Sequence, residues 1–300
     1  MPIRPADHGI FASSASSVTP GAGYFGGNGT GATSTVSRFL FADDSRTELG
    51  TGLSSGRSRL TGFASSVAGY FAGGLTGPVD TVDRFLFSND SRTTLGTGLS
   101  AATYGLAGMA SSVAGYTVGG YAGGYVSTVD RFLFSNDSRT TLSTGLSGDR
   151  YDLAAMASSV AGYATGGYQG SSPTGRTTVV DRFLFSNDSR TTLGTGLSAV
   201  NASNAACASS VAGYTGGGQN ANIDRFLFSN DSRTTLSATL STTREYLAAM
   251  ASSAAGYWGG GSPSITTVQK LLFSDDSIGT LGTGLSVNTT AAGAMANLGA

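Results

Sequence analysis

The chain of 300 residues has one cysteine (Cys207), one histidine (His8) and one lysine (Lys270). A single cysteine excludes an intrachain disulfide, so the fold must close without covalent staples. A single histidine excludes histidine-rich metal and catalytic centres. Charge is scarce as well. Asp, Glu, Lys and Arg make up 12% of the residues and the net charge is −1. Such a surface does not gather phosphates, so nucleic acid is not expected as a partner. No apolar run approaches the roughly 20 residues that span a bilayer as a helix, and membrane insertion is not expected. Residues Met1–Asp7 lack a basic start followed by an apolar run, which reads as no secretory signal.

Glycine is plentiful, with 46 residues, beside many Ser and Thr. That composition alone would suit a disordered chain. The spacing of Phe, Leu, Val and Tyr is regular, however, and therefore structural. The stretch TVDRFLFSNDSRTTLGTGLS at Thr81–Ser100 recurs at Thr128–Ser147, Thr178–Ser198 and Asn222–Ser241, with worn copies from Thr35 and Thr267. Ahead of each copy stands AGYxxGG or a variant of it. Its tyrosines, Tyr24, Tyr70, Tyr116, Tyr163, Tyr214 and Tyr257, recur at intervals of 43 to 51 residues. Six units of this length make a repeat protein.

Each unit has four short apolar pieces. VDRFLF is aromatic and β-branched, too short for a stable helix, and reads as a buried strand. SNDS reads as a tight turn, because Asn and Asp tolerate turn geometry and bond their own backbone. RTTL reads as a short outer strand. YDLAAMASSV at Tyr151–Val160 could be a helix by propensity, but its sister at Tyr104–Val113 carries extra glycines. A strand near a crowded central axis is the reading preferred here, since Ala, Gly and Ser fit there. Four short strands per unit and six units predict an all-β chain: a six-bladed β-propeller of four-stranded antiparallel blades, ring closed by a terminal strand. Residues 1–20 read as an N-terminal arm with a short strand at Ser14–Val18, and 21–300 as the propeller. Two segments compete to close the ring. Leu285–Ala300 matches Leu99–Ser111 in register, Met295 against Met109, and is preferred; the N-terminal ASSASSV is the rival.

The order of small-residue strand, AGYxxGG, VDRFLF, polar turn and short strand resembles the kelch repeat, whose double glycine after an aromatic strand corresponds here to Gly73–Gly74, Gly119–Gly120 and Gly166–Gly167. The chain departs from it at the outer strand, where Thr94 and Leu95 stand in place of a Trp. The resemblance implies a propeller; it does not select a function, because kelch-like propellers range from binding modules to oxidases. The copper site of such oxidases needs His ligands that this chain lacks.

No chemistry emerges from the sequence, and no cofactor or metal is expected. His8 reads as a solvated side chain. Cys207 takes the place of Met109, Met156 and Met250 in its repeat and reads as core filling. The glycine stretches Gly119–Tyr125 and Gly213–Gly218 lack the Lys and Ser/Thr of a phosphate loop. Asp83, Asp130, Asp181 and Asp224, with Arg92, Arg139, Arg190 and Arg233, are expected to form a circle of ion pairs between blades. The turn acids Asp90, Asp137, Asp188 and Asp231 could instead offer oxygens to Ca²⁺. The NDS triplets from Asn89, Asn136, Asn187 and Asn230 match a glycosylation acceptor.

The repeats differ from one another in two places, after the double glycine and after GLS. Both loops leave an up-and-down blade on one face, so variation gathers there while the opposite face repeats its turns. The variable face is expected to carry the binding residues Tyr104, Tyr121, Tyr125, Arg150, Tyr151, Tyr168, Gln169, Arg176, Arg244 and Tyr246, since Tyr and Arg are enriched at recognition surfaces. Drift in tolerant loops is the competing account. Three functions compete. The first is a non-enzymatic structural or binding propeller, as a phage fibre, tail or decoration component of a virion. The second is a carbohydrate-binding, lectin-like propeller. The third, a glycan-cleaving enzyme, would need converging carboxylates, and Asp149, Asp152 and Glu245 lie on different blades. The expected partners are assembly proteins or surface glycans, with homo-oligomerisation open, and the expected setting is virion or extracellular.

Overall fold

The computed structural model describes residues 21–29, 31–170 and 175–297. The expected N-terminal arm, with the strand expected at Ser14–Val18, lies outside the described residues. Every described element is a β-strand, and six four-stranded antiparallel sheets stand around one axis. Blades two to six span 61–94, 107–141, 154–192, 205–239 and 248–280. Blade one takes its outer three strands from 22–48. Its innermost strand is Gly293–Asn297, which pairs antiparallel with Ala22–Gly26 and sets Met295 opposite Tyr24. The C-terminal segment therefore closes the ring and gives blade one the same four strands as the other blades.

Local sequence explains the order of strands within a blade. The innermost strands, such as Ala107–Ala110 and Ala154–Ala157, consist of small residues and alternate buried with half-buried. The helical alternative for Ala154–Ala157 is overridden by the edge of Ala161–Thr165, with which it pairs antiparallel. The second strands, such as Tyr70's Ala68–Ala72, are buried along their whole length. The outermost strands, such as Arg92–Thr94, face water. In blades two to six a glycine pair turns the chain with positive φ, +65° at Gly73 and +120° at Gly74, a region that side chains with a Cβ disfavour.

Neighbouring blades interlock. A Cβ on Gly162 would lie 2.2 Å from Met109 Sδ, and one on Gly213 would lie 2.2 Å from Met156 Sδ. The same socket receives Met295 at Gly69, Phe63 at Gly115, Cys207 at Gly256 and Met250 at Gly23. Each blade thus pushes one inner-strand side chain over a glycine of the next. Cys207 is the smallest of these knobs, and the indole of Trp258 reaches over the same Gly256. Burial pushes the Cys207 thiol far up, so this cysteine packs and does not react.

Each tyrosine of AGY stacks on the phenylalanine that ends VDRFLF in the next blade. Centroid distances run from 4.9 Å for Tyr214–Phe273 to 5.6 Å for Tyr70–Phe134. Five tyrosine hydroxyls donate onward to a turn aspartate of that blade, as in Tyr70 to Asp137 at 2.9 Å. Burial, and the Asp188 carboxylate it faces, push the Tyr116 hydroxyl up to about 12.

The expected circle of ion pairs between blades exists, with other members. Asp130, Asp181 and Asp224 meet Arg139, Arg190 and Arg233 inside their own blades at 3.2–3.4 Å. The pairs that join each blade to the next around the ring are Arg38–Asp90, Arg84–Asp137, Arg131–Asp188, Arg182–Asp231, Arg225–Asp276 and Lys270–Asp44. The turn aspartates once available for Ca²⁺ are thereby engaged by cations of the preceding blade.

Candidate functional site

The two variable segments of each repeat touch one another. Tyr104 and Tyr121 exchange backbone hydrogen bonds of 3.2 and 2.8 Å. Arg150–Tyr151 forms a small two-stranded ladder with Tyr168–Gln169. Bridges also join Ser58 to Leu75 and Glu245 to Ser262. The variable face is therefore built from paired loops, which holds their side chains in fixed places.

Tyrosines line up along it. Tyr104 lies 5.2 Å from Tyr121 between centroids, Tyr121 meets Tyr125 edge-on at 5.9 Å, Tyr125 stacks on Tyr151 at 4.6 Å, and Tyr151 stacks on Tyr168 at 5.1 Å. Arg176 caps the row, with its guanidinium carbon 5.1 Å from the Tyr168 ring centre and Nη2 donating to the Tyr168 hydroxyl at 3.1 Å. Tyr168 is 9% exposed, so it supports the row from beneath. Burial, with the Asp152 charge acting the same way, pushes the Tyr151 hydroxyl up. Beside the row lies an open depression of about 620 Å³ lined by Tyr121, Gly124, Tyr125, Asp149, Gln169 and Gly170.

Seven of the ten expected residues, Tyr104, Tyr121, Tyr125, Tyr151, Tyr168, Gln169 and Arg176, belong to this patch. Tyr246 sits apart, linked through Arg59, whose guanidinium lies 4.6 Å from the Tyr246 ring and 5.8 Å from Tyr104. Arg59 was not singled out by sequence; its signal was its place in the variable segment after GLS. Arg150 and Arg244 must be corrected. Both are fully buried. Arg150 donates to the Gly166 and Val179 carbonyls and to Asp181, and Arg244 donates to the Gly260 and Thr267 carbonyls and to Gln269. They clamp the double-glycine turns from within and are out of reach of a ligand.

A second arrangement lies on the axis. One residue per blade, Arg59, Gly105, Asp152, Ser203, Tyr246 and Ala291, adopts positive φ between 50° and 64°. Each amide donates to the carbonyl of its predecessor, from Gly105 to Arg59 at 2.9 Å round to Arg59 to Ala291 at 2.6 Å, closing a circle of six hydrogen bonds. Asp152 turns into this hub, its Oδ2 3.5 Å from Arg59. Burial raises Asp152 to about 6; Arg59 opposes this and Glu245 adds to it. The three acids weighed for glycan cleavage are thus distributed between settings: Asp152 in the hub, Asp149 at the depression, and Glu245 bonded to Gln219. Below the hub the inner strands line a central channel of about 110 Å³. Among the described residues no group of three or more His, Cys, Asp or Glu side chains could hold a metal ion; His8 lies outside them.

No protein-family model matches the chain, and no curated protein matches it.

Proposed function

We propose that this chain is a non-enzymatic binding propeller of kelch-like type, a virion component that recognises its target through the tyrosine row of the variable face. The single observation behind this reading is the row itself. Five tyrosines from paired loops of blades three and four pack ring against ring, stacked or edge-on, into one surface. Rigid aromatic side chains present large contact area and lose little conformational freedom on binding. Drift in tolerant loops has no reason to assemble a continuous row of ring contacts across two blades. The repeating face supports an assembly role on the other side, for Val67, Val113, Val160 and Val211 stand there 63–65% exposed in equivalent turns.

A carbohydrate target is the second reading, favoured by the depression, which sets Tyr121 and Tyr125 beside the polar Asp149 and Gln169. Apolar walls with a few placed polar groups suit a small polar ligand. A glycan-array assay on the full chain tests it beside Tyr121→Ala and Tyr125→Ala variants. Saturable glycan binding that both variants lose supports the sugar reading. Binding to isolated host-surface proteins that the variants lose, with no glycan signal, supports the protein-target reading. Binding untouched by either substitution removes the tyrosine row from the account.

A further inference from the structure

Three blades hold a buried arginine at one equivalent place. The position is identified by the backbone: the carbonyls of Arg57, Thr103, Arg150, Asn201, Arg244 and Thr289 each accept from the turn that follows the second strand of the preceding blade. Arg57 shows the full pattern. Its Nη1 donates to the carbonyls of Gly73 at 3.1 Å and Thr81 at 3.0 Å, and its Nη2 to Asp83 Oδ2 at 2.5 Å. Arg150 repeats it on Gly166, Val179 and Asp181, and Arg244 on Gly260, Thr267 and Gln269.

The other three blades have lost the arginine, and they answer the loss differently. In blade five Asn201 partly replaces it, donating to the Gly217 carbonyl at 2.7 Å. In blade one the acid is gone too: Ser37 stands in its place and meets Ser286 at 3.2 Å. Blade three loses the arginine, keeps the acid and leaves the space open. Thr103 turns its hydroxyl to the Ala101 carbonyl at 2.8 Å. Asp130 stays 3% exposed. Its Oδ2 accepts from the amide and hydroxyl of Ser100 at 2.7 and 2.8 Å, and its Oδ1 from Thr141 at 2.6 Å and Arg139 at 3.3 Å. The equivalent Asp83 Oδ2 takes the same two serine bonds and the guanidinium as well. Where that guanidinium would lie, blade three has a cavity of about 40 Å³ lined by Thr103, Gly119, Thr128 and Asp130 among others. By the usual measure it admits about three water-sized groups.

We propose that this cavity is a guanidinium socket. Gly119, Thr128 and Asp130 are the counterparts of Gly73, Thr81 and Asp83, so the acceptor set that binds a planar fork in blade two stands ready in blade three. A guanidinium matches it through several parallel N–H donors; an ammonium cannot. Ala122 and Val126, neighbours in sequence of Tyr121 and Tyr125, line the same cavity. The socket therefore borders the tyrosine row, where an arginine of a bound protein, or a free guanidine, would reach it. It stands on the acceptor geometry and does not depend on what the row binds.

The test is a titration of the full chain with methylguanidinium, with methylammonium as control, followed by calorimetry and by ligand-observed NMR. Saturable binding of methylguanidinium, at least tenfold tighter than methylammonium, is expected. Thr103→Arg should fill the socket with its own side chain, abolish that binding and raise the melting temperature; the substitution suits the fold because three blades already carry it. Asp130→Asn should weaken binding about tenfold or more. An arginine-containing peptide that binds tenfold tighter than methylguanidinium would assign the socket to a protein partner, and equal affinity would assign it to free guanidines. Absence of saturable binding by the unaltered chain, or equal binding by Thr103→Arg, overturns the proposal.

Discussion

Lys270 in blade six lies 2.8 Å from Asp44 in blade one, and this contact completes the circuit of ion pairs around the propeller. The same carboxylate accepts from Tyr257 at 3.0 Å. The joint between blade six and blade one is thus held by the same device as every other joint, with a lysine standing where the other blades use arginine.

Asp44→Ala should cost about 1–2 kcal/mol in urea unfolding, because it strands both a tyrosine hydroxyl and a cation. Lys270→Ala should cost less than about 1 kcal/mol, since the pair is about a quarter exposed and water screens it. Equal costs would show that the tyrosine bond adds nothing.

Gly162→Ala places a methyl group 2.2 Å from Met109 Sδ. The interior is already filled there, so the variant should lose about 1–3 kcal/mol. Pairing it with Met109→Ala should recover part of that loss. A double-mutant cycle reads the recovery directly, and strictly additive costs would remove the knob-and-socket account of this joint.

Removal of 286–297 deletes the innermost strand of blade one and bares the edge of Ala22–Gly26. The shortened chain should aggregate in size-exclusion chromatography, since an uncovered strand edge invites pairing with other chains. A monomeric, cooperatively folding product would show that closure by this strand is dispensable.

Asp152 gives the fold a pH dependence of known sign. Its pKa rises from 3.8 to about 6 on folding. Between those values the folded chain holds a proton that the unfolded chain has released, so this contribution is complete below about 4 and is lost as pH rises to about 6. The loss amounts to at most ~3 kcal/mol. Asp152→Asn stays neutral, so its stability advantage over the unaltered chain should grow from pH 4 to pH 6.5. Melting curves at fixed ionic strength measure it, and a difference that does not change with pH would contradict the assignment.

Much of the fold was legible because the repeats agree with one another. VDRFLF reads as a strand because it is aromatic, β-branched and too short for a helix, and the structure gives it one burial pattern in blades two, three and four. The closing strand was legible because Met295 falls in register with Met109. The patch was legible in part, since tyrosines in varying loops stand out against repeated ones. Arg150 and Arg244 misled, because a charged residue in a variable loop reads as exposed until the sheet brings Asp181 or Gln269 beneath it. The ion-pair circle was expected from the right residue types with the wrong partners: Arg84 pairs with Asp137, 53 residues away in the next blade, while Arg139 stays with Asp130 in its own.

The sequence by itself determined six units, their four strands and the class of fold, since those follow from periodicities that act within a few residues. Only the tertiary structure decided which polar group meets which. Those partners come from separate blades, and their separation is set by sheet geometry and not by any local pattern. The blade-three cavity shows the difference. Thr103 and Asp130 are each unremarkable in the chain, and they become a site only because folding lays them where other blades seat an arginine.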